Sequence, residues 1–180
     1  MPFFVENSSS VLPRKEDNGS FWKDRSDRFH CGIDFYAKDG SKVFSIDSGK
    51  VVKTGVFTSP DQVYYWNKTF YVDVKLKNDL FCRYAELGNI DVSEGDELEK
   101  GDIVGFVGSV LNKDKINSES PDYIRKLADS GNFSMLHFGF YRNNSIDVSN
   151  KWYLGGNWFC VNRPDGIIDP TPYLANFFKN

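Results

Sequence analysis

Histidine is scarce in this 180-residue chain: there are two, His30 and His137. Imidazole chemistry here can draw on those two rings and no others. Cysteine is little better represented. Cys31, Cys82 and Cys160 have no C-x-x-C spacing, and an odd count leaves room for at most one internal disulfide. A Cys82–Cys160 bridge stays open at this level, since spacing does not set connectivity. Cys31 neighbours His30, but adjacent side chains of an extended segment face opposite ways, so a buried thiol is expected there rather than a ligand. No apolar run approaches the length that spans a bilayer. The run Pro2-Phe3-Phe4-Val5 is ended by Glu6 and is too short for a signal peptide. The expectation is a soluble chain, or the trimmed soluble part of a longer exported protein. A net charge of −3 provides no field that would gather nucleic acid or an anionic membrane.

Aromatic residues make up 16 % of the chain, which favours strands, and many Gly and Asn residues supply turns between them. A mainly β domain with antiparallel sheets is expected, large enough to bury a substantial core. Residues 1–28 are polar and broken by Pro2, Pro13 and Gly19, and read as an extended lead-in or linker. The domain is expected over residues 29–180. Gly32–Tyr36, Lys42–Ile46 and Gly49–Val56 read as short strands separated by Asp39-Gly40 and Asp47-Ser48-Gly49, both strong turn signals. Phe70–Leu76 alternates as a strand, Asn78-Asp79 turns, and Leu80–Tyr84 returns. Strict alternation from there places Tyr84 and Glu86 on one face. Gly95 and Gly101 mark successive tight turns; the stretch around them carries neither G-x-G-x-x-G nor G-x-x-x-x-G-K-[ST], so it is not a phosphate loop.

Two stretches leave alternatives open. Residues 57–69 hold the aromatic cluster Tyr64, Tyr65 and Trp66, which reads either as a packed lid or strand, or as one wall of a substrate groove. Residues 112–134 interrupt the β pattern as an insertion. Ser120-Pro121-Asp122 starts a short helix that Ser130-Gly131 ends, presenting either a solvated face or a flap over a site. A Pro-led short helix or turn at Ile168–Leu174 closes the domain.

The chemistry concentrates in His30-Cys31-Gly32-Ile33-Asp34 and Met135-Leu136-His137. His30 and Asp34 are four positions apart, and Gly32 between them allows the backbone to bend closely. His137 lies in an alternating, aromatic segment that reads as a buried strand. Two imidazole nitrogens and one carboxylate oxygen form a three-ligand set suited to Zn²⁺, with a fourth position for water or substrate. Met135 stands two residues before His137 and is expected on the same face.

These residues resemble the M23 family of zinc metallopeptidases, of the LytM and lysostaphin type, over roughly residues 28–174. Four blocks match in order: His30–Asp34 with Gly40 and Gly49–Val52; Asn78–Leu87; the Gly95, Gly101, Gly105, Gly108 turns; and Met135–Gly139. Asp169-Pro170 with Tyr173-Leu174 fits the family's usual ending. The resemblance implies a LytM-like antiparallel fold with a groove along one sheet, Zn²⁺ at its floor on His30, Asp34 and His137, and hydrolysis of cell-wall cross-bridges or glycine-rich peptides. It also exposes two departures: active members carry histidines where this chain has Glu86 and Met135. A thioether can neither transfer a proton nor donate to an oxyanion. Glu86 would serve as general base, swing in as a fourth ligand, or stand as a solvated acid at the groove edge. Two readings follow, the first preferred because both catalytic histidine positions are substituted. One is a zinc-binding, catalytically impaired module that holds a peptide, a peptidoglycan-like ligand or a protein partner, with Met135, Tyr64, Tyr65 and Trp66 in the groove. The other is an active zinc endopeptidase with Glu86 as base and Tyr84 donating to the oxyanion.

Overall fold

The alternating apolar pattern that begins at Phe29 folds into antiparallel strands in the computed structural model, which describes residues 4–8, 11–131, 133–142 and 147–176. Strands β1 (Phe29–His30), β2 (Ile33–Tyr36), β3 (Lys42–Phe44) and β4 (Gly49–Thr58) are followed by β5 (Thr69–Leu76) and β6 (Leu80–Ile90). Next come β7 (Glu97–Leu98), β8 (Ile103–Ser109), helix α1 (Asp122–Asp129) and β9 (Ser134–Arg142). The short strands β10 (Tyr153–Leu154), β11 (Asn157–Trp158) and β12 (Ile167–Ile168) lead to a one-turn helix, α2 (Thr171–Leu174). The main sheet runs β12-β9-β8-β6-β5-β4-β7, with β2 added on β9 and β3 on β8; β1, β11 and β10 form a small second sheet.

Side chains alternate across the main sheet, and that sorting creates the site. Ile33, Phe35, Val72, Val74, Tyr84, Leu136, Phe138 and Phe140 face the main core. Tyr71, Ala85 and Tyr141 face the other way, into a second cluster with Tyr153 and Trp158. In β9 the same period of two turns Met135 and His137 away from the core that holds Leu136 and Phe138. Asp34 lies directly opposite His137 in the β2–β9 ladder, so the two share that outer face.

Strand β6 departs from simple alternation at one residue. Tyr71 pairs with Ala85, but the next residue back, Phe70, pairs with Leu87, which leaves Glu86 as the extra residue of a β-bulge. Its φ is +63°, a left-handed conformation that costs a non-glycine residue about 1–3 kcal/mol. The expectation that Tyr84 and Glu86 share a face fails for this reason.

Parts of the stretch before β1 pack on the domain: Leu12 and Phe21 lie against the main core. Phe4 and Val5 belong to the main core, and Phe44 donates its N–H to the Phe4 carbonyl at 2.7 Å. Pro2 and Phe3, half of the apolar run noted in the sequence, lie outside the described residues. Residues 22–30 form a tight hairpin: Trp22 donates to the His30 carbonyl at 2.7 Å and His30 to the Lys23 carbonyl at 3.0 Å. The three cysteines are free thiols, so Cys82 and Cys160 are not bridged; Cys82 is buried in the main core and Cys31 in the second cluster.

Helix α1 starts without a side-chain cap. Pro121 is the cap residue, and the Ser120 hydroxyl instead accepts from the Asn117 N–H at 3.1 Å and pairs with the Tyr64 hydroxyl at 3.0 Å. Ile124 packs with Tyr65, Trp66, Val110 and Leu111 in a third cluster, which joins the insertion to the 57–69 stretch. Among the described residues, no helix is long and apolar enough to cross a membrane.

Candidate metal centre

Three strands bring three donor atoms to one point. His30 lies on β1, Asp34 on β2 and His137 on β9, and their ligand atoms all fall within 4.8 Å of one another. His30 Nε2 is 2.9 Å from Asp34 Oδ1, His137 Nδ1 is 3.0 Å from the same oxygen, and the two ring nitrogens are 3.0 Å apart. All three side chains are buried.

Counting protons shows what this cluster fits. His30 Nδ1 sits 2.8 Å from the Ser20 carbonyl oxygen, which can only accept, so the ring proton is on Nδ1 and Nε2 offers a lone pair. Burial, aided by Arg25, lowers the His30 pKa to about 4, so the ring is neutral at pH 7. Burial works to raise the Asp34 carboxyl, but the two adjacent imidazoles and the Arg25 guanidinium outweigh it and hold the group well below the usual carboxylate range. A lone pair and a carboxylate oxygen therefore face each other at 2.9 Å. Among the described residues, the proton available to them is one on His137 Nδ1, and if it is there, the buried His137 Nε2 becomes an acceptor with no partner. A donor-poor set of two imidazoles and one carboxylate matches a divalent cation of the zinc class.

The rings are held from outside the cluster. A Cβ on Gly32 would fall 2.8 Å from His137 Cε1, and one on Gly156, where φ is +76°, would fall 2.6 Å from the same atom. Two bare backbones thus clamp the His137 ring, and Phe57 stacks on it with centroids 5.8 Å apart. Arg25 donates from Nη2 to Asp34 Oδ2 at 2.9 Å, and from Nη1 to Asn157 Oδ1 at 2.9 Å. Asp34 is thereby turned so that Oδ1 points at the histidines. No local signal marks Arg25 or Gly156, because each acts on a residue remote in the chain or nine positions away across a hairpin. Arg25→Met is expected to weaken metal binding about 10- to 100-fold while leaving the fold intact, as loss of an outer partner of a metal ligand does. A metal titration followed by circular dichroism checks both halves of that statement.

A cavity of about 270 Å³ opens above the cluster. Glu86, Met135, Tyr36 and Trp66 line it together with His30, Asp34 and His137. The bulge carries Glu86 here. Its Oε2 is buried without a partner among the described residues, and burial together with the Asp34 charge pushes its carboxyl well above the usual glutamate range, against the pull of Arg25. Met135 is where a second group beside His137 was expected. The other sequence-derived groove residues divide. Trp66 walls the cavity, Tyr65 is buried in the third cluster, and Tyr64 is 47 % exposed and bonded to Ser120. Tyr84 does not reach the cavity: it is fully buried in the main core, where its hydroxyl accepts from the Ile46 N–H at 2.9 Å.

Helix α1 supplies Tyr123, Ile124 and Leu127 to the cavity wall, so the insertion borders the site. A second hollow of about 960 Å³ runs between residues 11–28 and α1, and it shares Arg25, Asp34 and Tyr36 with the first. Of the cluster, Asp34 lines both hollows, and His30 and His137 line the smaller one.

Comparison with known proteins agrees with this architecture. The family model described as peptidase family M23 matches residues 28–148. LytU is similar in structure, with a TM-score of 0.53 and 18 % identity over 93 % of this chain and 86 % of its own. The catalytic domain of lysostaphin, an antimicrobial peptidase from Staphylococcus simulans, gives a TM-score of 0.49 and 20 % identity over 96 % of this chain and 90 % of that chain. Against the solution structure of lysostaphin the TM-score is 0.49 at 19 % identity over 82 % of this chain, which spans 44 % of that longer one. No curated protein sequence matches.

Proposed function

The chain belongs to peptidase family M23, and we propose that it is a zinc-dependent peptidase in which proton transfer has passed from histidine to the carboxylate of Glu86. The observation that carries this reading is the bulge in β6. It holds Glu86 in a costly backbone conformation whose effect is to deliver a carboxyl, with Oε2 unpartnered among the described residues, to the cavity above His30, Asp34 and His137. Zinc on those three residues would supply Lewis-acid polarisation of the scissile carbonyl and a water acidic enough to attack at neutral pH. A divalent cation held there would offset the Asp34 charge that, with burial, raises the Glu86 carboxyl, and so would favour the carboxylate form a base requires. Glu86 then accepts the proton of the attacking water and gives it to the leaving amide nitrogen. Met135 contributes no donor, and losing one oxyanion donor costs about 10²–10³ in rate, so turnover below that of two-histidine members is expected.

A second reading, a peptide-binding domain without turnover, is favoured by Met135 alone. The two separate in one experiment: zinc content of the purified protein, then cleavage of peptidoglycan and of oligoglycine with and without chelator. One zinc per chain with chelator-sensitive cleavage supports the hydrolase. Zinc with peptide binding but no cleavage supports the binding domain, and no zinc from a zinc-replete preparation sinks both.

The cavity also bears on which peptide is held. Trp66, Val110, Leu111, Ile124 and Leu127 make one side of it apolar. Peptides carrying an aliphatic or aromatic residue are expected to bind more tightly than oligoglycine of equal length, by about tenfold or more, since burying one such side chain is worth about 1.5–3 kcal/mol. Calorimetry with matched peptides measures the difference, and equal affinities would remove this wall from the account.

A further inference from the structure

We propose that Tyr36 supplies the hydrogen-bond donor to the oxyanion that develops on the carbonyl oxygen of the reacting peptide, in the place left without one by Met135. In the β2–β9 ladder Tyr36 stands directly opposite Met135, one step of the same face along from Asp34 opposite His137. Side chains so paired on one face of antiparallel strands are close neighbours. Asp34 and Tyr36 are two residues apart in β2, and Met135 and His137 two apart in β9, so the four form a square of which one edge is metal-binding and the other is Tyr36 and Met135. Tyr36 lines both hollows, as Asp34 and Arg25 do. A phenol is a neutral donor at physiological pH and reaches further from the backbone than imidazole, so it can span from the neighbouring strand to the space above Met135.

The alternative hydroxyl fails on position. Tyr84 is on the core side of the sheet and already accepts from Ile46. Tyr36 has the opposite placement, on the cavity face and half-buried. The inference rests on the hydrolase reading above, and adds to it a residue that the reading does not require.

The test uses the zinc-loaded full chain and its Tyr36→Phe variant. Two probes are compared by calorimetry: a capped alanyl-leucyl phosphinic pseudopeptide, whose tetrahedral anion mimics the reacting centre, and the capped peptide with the ordinary amide. Tyr36→Phe is expected to bind the phosphinic probe about 10²–10³-fold more weakly, the usual cost of one oxyanion donor, with zinc content and amide-peptide affinity unchanged. Turnover is expected to fall by the same factor in kcat with little change in KM. Adding Met135→His to Tyr36→Phe is expected to restore part of the phosphinic affinity, a rescue that a merely structural role for Tyr36 would not show. Equal phosphinic affinity in wild type and Tyr36→Phe overturns the role of Tyr36 while leaving the hydrolase reading to stand on its own cleavage assay. A wild-type protein that holds zinc but shows no preference for the phosphinic over the amide probe overturns the hydrolase reading, and this inference with it.

Discussion

Asp34→Ala is expected to abolish stoichiometric zinc binding and to lower the melting temperature of the protein in the presence of zinc. Asp34 does two things at once. Its Oδ1 is the only oxygen in the donor set, 2.9 Å from His30 Nε2 and 3.0 Å from His137 Nδ1, and its Oδ2 accepts from Arg25 at 2.9 Å. Removing the carboxylate leaves the zinc with two neutral nitrogens and leaves Arg25 with its positive charge facing them. Breaking one side of a buried ion pair costs about 3–5 kcal/mol, and the same range in metal affinity corresponds to about 10²–10⁴-fold. Asp34→Asn separates the contributions, because it retains the shape and loses the charge. Zinc titration of the three proteins against a competing chelator measures the effect. Wild-type affinity in Asp34→Ala would remove Asp34 from the metal centre.

Glu86→Gln is expected to lower kcat by about 10²–10⁴ with zinc content unchanged, the usual loss when a general base is replaced by its amide. The amide retains size and hydrogen-bonding reach, so a loss confined to kcat points to proton transfer. Loss of zinc instead would identify Glu86 as a fourth ligand, and full activity would place the base elsewhere. The same variant has an opposite signature in the metal-free protein. Burial and the Asp34 charge raise the folded-state pKa of Glu86 well above its ordinary 4.5, so above that pH the unfolded chain releases a proton that the folded chain keeps. The native state is penalised increasingly as pH rises from 4.5 towards the folded pKa, by about 1.4 kcal/mol for each pH unit. Glutamine carries no such penalty. Metal-free Glu86→Gln should therefore melt above the parent at pH 7, with the gap closing as pH falls to 4.5. A gap independent of pH would mean that packing, not ionisation, distinguishes the two side chains.

Both predictions depend on features of unequal legibility in the sequence. The antiparallel β architecture was readable because period-two alternation and glycine turn signals are local: β2, β3, β4 and β5 fall within a few residues of the segments that the pattern marks. Asp34, His137 and Met135 were readable for the same reason, since β2 and β9 alternate without a break, and His30 was readable from its place four residues before Asp34. Glu86 was readable as a residue but not as a direction. Its exposure to the cavity comes from a mismatch between two ladders, Tyr71 with Ala85 and Phe70 with Leu87, and nothing in the sequence of β6 itself announces an extra residue. Tyr84 precedes the bulge and stays on the core side with Val72, so of the two residues expected on one face only Glu86 reaches the cavity.

What the sequence determined by itself is the set of donor types and the strands that carry them, because ligand chemistry and strand period are properties of residues and their near neighbours. The tertiary structure decided the rest. It packed Phe4, Val5, Leu12 and Phe21 against the core, set Arg25 behind Asp34, clamped His137 between Gly32 and Gly156, and laid α1 along the cavity. Each of these is a contact between segments far apart in the chain or folded back on one another. Such contacts depend on how registers of several strands close together, which no single stretch of residues encodes.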